Sequence, residues 1–100
     1  MLPMNDFIAR FRDCLEALDA VADAAGDEAL EDLNAELDDM LMAIEDIRPA
    51  GDGWREELAE ALEDLDAVID DYDRLASSLP GVAEPAARLR MAGAMLRGNM

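Results

Sequence analysis

The apolar positions of the chain recur at helical spacing, in separate blocks. Over residues 5–25, Phe7, Phe11, Cys14, Leu18, Val21 and Ala25 follow one another at intervals of four and three. That is the seam of a helix resting one face on a core. Ile8, Leu15 and Ala22 widen the seam into a stripe. Asn5 or Asp6 can cap the start, and Gly26 is placed to end it. Over residues 27–47 the seam is Leu30, Leu33, Leu37, Met40, Ile44 and Ile47. Extending the first seam past Ala25 would require apolar residues near 28 and 32, where Glu28 and Asp32 stand. The phase therefore breaks at Gly26, which predicts a tight helical hairpin rather than one long helix. Residues 48–53, Arg-Pro-Ala-Gly-Asp-Gly, read as a loop.

The third block, residues 53–78, is the most regular. Trp54, Leu58, Ala61, Leu65, Val68, Tyr72, Leu75 and Leu79 keep the four-three alternation without a miss, and Pro80-Gly81 stops it. Three consecutive seven-residue units begin at Glu56, Glu63 and Asp70, each opening on two acids. A shorter helix is predicted over residues 85–97, with Pro85 in its first turn and Leu89, Ala92, Gly93 and Leu96 on one face. Met91 and Met95 add a second, poorly covered apolar patch. The expected fold is all-α: one domain over residues 1–100, an antiparallel helical bundle of three long amphipathic helices plus a short basic C-terminal one. The fourth helix either closes the bundle, its arginines meeting acidic flanks, or docks on a second copy or a partner. The apolar stripes are wide for so short a chain, so a monomer and a homodimer stand level.

Charge changes the picture most. The 100 residues hold 25 Asp and Glu against 8 Arg, with no Lys and no His, for a formal net charge of −17. Such a chain repels a phosphate backbone and an anionic membrane, so neither nucleic acid nor membrane is an expected direct partner. Without His it lacks the commonest general acid/base and metal ligand. The single Cys14 forms no internal disulfide, fits a reducing cytoplasm, and sits on the first seam as a buried thiol. No signal peptide or membrane span is expected from the N-terminal residues or from any apolar run. Glu60-x-x-Glu63 and Glu63-x-x-Asp66 have a spacing that binds divalent metal, but an acid-rich heptad generates such pairs freely. The expectation is a binding protein, not an enzyme, with no metal or cofactor.

The acids are not evenly spread. Glu56, Glu57, Glu60, Glu63, Asp64, Asp66, Asp70, Asp71 and Asp73 follow one another with no base between them. They span about 26 Å of helix, one charge per roughly 3 Å, close to the 3.4 Å of a single nucleic-acid strand. The second block adds Glu31-Asp32, Asp38-Asp39 and Glu45-Asp46 at seven-residue intervals. Like charges three or four residues apart on the third helix cost about 1.5–3.5 kcal/mol at low salt. A salty milieu, a solubility requirement or a basic partner must favour keeping them. In composition and size, with no shared motif, the chain is similar to small acidic phage proteins that inhibit restriction or CRISPR machinery by charge mimicry. That similarity implies a decoy that occupies a positively charged, nucleic-acid-binding surface, with the third-helix acids, Glu31, Asp32, Asp38 and Asp39 as contacts. Trp54 is either a lid on the core or an interface anchor. The alternative is an oligomeric adaptor or assembly chaperone whose seams and Met-rich tail do the binding, its acids serving only solubility or life in high salt.

Overall fold

A computed structural model of the chain describes residues 4–47 and 53–98. These form four α-helices and a short 3₁₀ turn, with no strand among the described residues: α1 (Met4–Ala25), α2 (Glu28–Asp46), α3 (Trp54–Leu75), the 3₁₀ turn (Pro80–Val82) and α4 (Ala83–Arg97). Each helix packs on two others: α1 on α2 and α4, and α3 on α2 and α4. The fourth helix thus docks on its own chain. The described part measures 43 × 21 × 20 Å.

Local signals account for the helix ends. Gly26 adopts φ +63°, a conformation that a Cβ penalises, and its N–H donates to the Ala22 carbonyl at 2.8 Å. The chain then turns directly into α2, where the Asp27 side chain accepts from the Leu30 N–H at 3.0 Å. Asn5 and Asp6 lie inside α1 rather than capping it, because the helix already includes Met4. Of the loop expected over residues 48–53, only Gly53 lies within the described residues; it precedes α3 with φ +94°. The third helix ends at Leu75, three residues earlier than its apolar pattern predicts. Leu79 stays on the core side after the helix stops, because the Leu79 N–H closes back onto the Leu75 carbonyl at 2.7 Å. Pro80 opens the 3₁₀ turn, and α4 starts at Ala83, so Pro85 falls in its first turn.

The core takes Phe7, Phe11, Cys14, Leu15, Leu18 and Ala22 from α1, with the Phe7 and Phe11 rings edge to face at 5.9 Å. Ala25, assigned to the seam from spacing, is exposed. The α2 seam is also displaced. The buried positions are Leu30, Asn34, Leu37, Leu41 and Ile44, while Leu33 and Met40 are only partly buried. This set keeps the four-three spacing but places a polar residue where Leu33 looked the better candidate. Asn34 is accommodated because the Tyr72 hydroxyl of α3 donates to its Oδ1 at 2.7 Å. From α3, Leu62 and Ile69 join Leu58, Leu65, Val68 and Tyr72 in the interior, and from α4 Leu89, Ala92, Gly93 and Leu96 are buried as their spacing predicts.

Candidate partner-binding surface

The nine acids of α3 do not form one file. At 3.6 residues per turn, Asp66, Asp70 and Asp73 share a flank, and α4 lies beside that flank. Arg90 reaches Asp70 and Asp73, each at 2.7 Å, and Arg97 reaches Asp66 at 2.7 Å. The hydrogen bond to Asp73 pushes the Arg90 pKa further up; burial opposes this, and the charges of Asp73, Asp70 and Asp66 add to it. Asp71 is paired within its own helix, with Arg74 at 2.7 Å. Four of the nine acids are therefore compensated, three of them by a helix distant in sequence.

The other five, Glu56, Glu57, Glu60, Glu63 and Asp64, are all exposed. None forms an ion pair with another described residue. They occupy about 12 Å of helix axis, one charge per roughly 2.5 Å, which falls between the values for one strand and for a duplex. The uncompensated row is thus half as long as the sequence implies, and denser. Trp54, at its N-terminal end, is half-buried against the core, and the Arg55 guanidinium stands over its ring, 5.3 Å from the centroid.

On α2, Glu31, Asp32, Asp38 and Asp39 are all exposed, again without ion pairs among the described residues. Asp32 and Asp39 project opposite the buried stripe, whereas Glu31 and Asp38 border α1. Glu45 pairs with Arg12 of α1. Two features escaped the sequence reading. Met42 of α2 is 58 % exposed, adding to Met91 at 65 % and Met95 at 41 % on α4; Met100 lies outside the described residues. Asn34, which the apolar spacing passes over, is in the core. The sequence held only half of the signal: Tyr72 on a seam needs a partner for its hydroxyl, but spacing alone does not choose Asn34 over Leu33.

Cys14 is buried, and that burial pushes its thiol pKa up; Arg88 opposes the shift and Asp13 adds to it. Among the described residues no group of three or more acidic or thiol side chains is gathered closely enough to hold a metal ion. No helix of the described residues is long and apolar enough to cross a membrane. No family model, no curated protein and no solved structure matches the chain.

Proposed function

We propose that this chain is a non-catalytic acidic binding protein that occupies a positively charged, nucleic-acid-binding surface of a partner protein, as a charge mimic. The observation that carries this reading is the row of Glu56, Glu57, Glu60, Glu63 and Asp64: five exposed carboxylates within three turns of α3, none in an ion pair with another described residue. The contrast with the rest of the helix supports it. Where α4 is near, acids are matched by Arg90 and Arg97, so compensation is available to this fold and the N-terminal half of α3 goes without it. The reading takes the four helices as one antiparallel bundle within a single cytoplasmic domain. Its support is the order of the ion pairs. Arg12 early in α1 meets Glu45 late in α2, and Arg90 and Arg97 meet α3 in reverse order along the chain.

The test is capture of partners at low salt, followed by titration with NaCl and with competing duplex DNA. Bound proteins with basic grooves, released by DNA and by salt, support the reading; partners without such grooves, or complexes that DNA leaves intact, refute it. The exposed Met42, Met91 and Met95 favour a second reading, an oligomeric adaptor whose apolar side chains make the contact. Salt separates the two, because apolar contacts persist when charges are screened to about 8 Å and below.

A further inference from the structure

The described arginines are committed unevenly. Arg12, Arg74, Arg90 and Arg97 each hold a carboxylate closely, and Arg55 stands over the Trp54 ring. Arg10 forms no ion pair with another described residue. Arg88 has only Glu84, at 3.8 Å and one turn away on its own helix, with both side chains more than half exposed. Such a contact is weak. In a chain with 25 acids, carboxylates to pair with are not scarce. The two arginines left over share a place: both line a cleft of about 170 Å³, together with Asp13, Cys14 and Met91. Arg10, Asp13 and Cys14 belong to α1, and Arg88 and Met91 to α4. Cys14 is the one buried residue of the five, so it closes the cleft on the inside. The Arg88 charge opposes the rise that burial gives the Cys14 thiol pKa, so this guanidinium stands within electrostatic reach of that inner wall.

The walls are soft and apolar: a thiol, the thioether of Met91, and the methylene stems of two arginines. Two cations and one acid leave the cleft with a single positive charge. That balance selects among ligands. A neutral apolar molecule gains nothing from the guanidiniums. Phosphate carries more negative charge than the cleft can match, and it meets both Asp13 and the negative field of the whole chain. A carboxylate carries one charge and presents two oxygens to a guanidinium fork. We propose that the α1–α4 cleft binds a monocarboxylate on a compact apolar body, with Arg10 and Arg88 holding the carboxylate and Met91 and Cys14 packing against the body. The site lies apart from the α3 acid row and does not depend on it.

The experiment is a titration of the full chain at low salt, followed by NMR at the Met91 methyl group, with benzoate and with its neutral analogue benzamide. Benzoate is expected to shift the Met91 methyl signal and to bind about tenfold more tightly than benzamide, the margin of a charge-assisted hydrogen bond. An acetylated and amidated Phe-Glu dipeptide, against Phe-Gln as its neutral control, presents the same carboxylate from a protein chain. The tighter of benzoate and Phe-Glu identifies the source of the ligand, a free acid or a partner's side chain. Arg10 and Arg88 are exposed, so Arg10→Gln combined with Arg88→Gln keeps the fold and is expected to weaken the tighter ligand about tenfold or more. Asp13→Asn is expected to strengthen it about threefold, while Asp32→Asn, the same change of net charge on α2, leaves it within about 1.5-fold. Neutral analogues that bind as tightly as both carboxylates, an unmoved Met91 methyl signal, or a double arginine variant that binds like the parent would each overturn the site. Inorganic phosphate binding more tightly than either carboxylate would overturn the choice of ligand. None of these results bears on the α3 row, whose test is DNA competition.

Discussion

Asn34 and Tyr72 hold one another inside an otherwise apolar core. A register slip of either helix would leave both groups unpaired, so the bond selects one alignment of α2 on α3. Tyr72→Phe alone strands the Asn34 carbonyl and is expected to cost about 1–3 kcal/mol, whereas Asn34→Leu combined with Tyr72→Phe removes both polar groups and is expected to cost less. Urea denaturation of the three proteins measures this. Burial first, then the negative charges of Asp19 and Glu36, push the Tyr72 hydroxyl pKa well above its ordinary value. The folded chain then keeps a proton that the unfolded chain loses near pH 10. The associated stability is complete below about pH 10 and declines as pH climbs beyond it. Tyr72 is the chain's single tyrosine. Phenolate absorbance is therefore expected to appear only as the protein unfolds in alkali, and Tyr72→Phe to flatten the alkaline loss apart from the part due to Cys14. Of the core around them, Leu30, Leu37, Ile44, Leu58, Leu65 and Val68 were legible from spacing alone, whereas Leu41, Leu62 and Ile69 were not. Asn34 was not, because hydrophobicity ranks Leu33 above it and only the hydroxyl on another helix reverses the order.

At the scale of the helix, α3 divides into a compensated and an uncompensated half, and the repulsion in the second half converges on one residue. Glu56, Glu57, Glu63 and Asp64 all lie three or four positions from Glu60. At about 0.2–0.5 kcal/mol for each pair, Glu60→Gln is expected to raise stability by about 1–2 kcal/mol at low salt, a gain that fades as salt is added. Urea unfolding at two ionic strengths checks it. The same substitution should weaken docking on a basic surface, the trade expected where charge is kept for binding. A second prediction concerns α4. A Cβ at the buried Gly93 would meet only Leu62 Cδ2, at 3.9 Å, an ordinary contact. Gly93→Ala is therefore expected to stabilise the protein by about 0.5–1 kcal/mol, read by thermal unfolding. The existence of all four helices was legible in the apolar period. Their ends were less so: α3 stops at Leu75 although Leu79 continues its spacing, since a residue can stay on the core after the helix has given way to a turn.

For the whole molecule, a net charge of −17 on a body 43 Å long makes self-repulsion a standing term in stability. The melting temperature is expected to rise by about 5 °C or more between low and physiological salt, and by less in a variant carrying Glu56→Gln, Glu57→Gln, Glu60→Gln and Glu63→Gln, as differential scanning calorimetry would show. The last twenty residues carry three arginines against one acid, while the first eighty carry 24 acids and five arginines. Packing α4 beside α3 brings the basic end of the chain onto part of its acidic middle, and so decides where negative surface survives.

Helix number, the break at Gly26, the acidity and the buried face of α4 follow from residues close together along the chain. Burial is non-directional, so a periodic apolar stripe declares itself before any partner is known. The free half of the α3 row and the place of Asn34 followed only from packing. Ion pairs and hydrogen bonds are directional and short-ranged. Arg90 and Asp70 stand 20 residues apart, Tyr72 and Asn34 stand 38 apart, and whether each pair meets depends on how each helix is rotated against its neighbour.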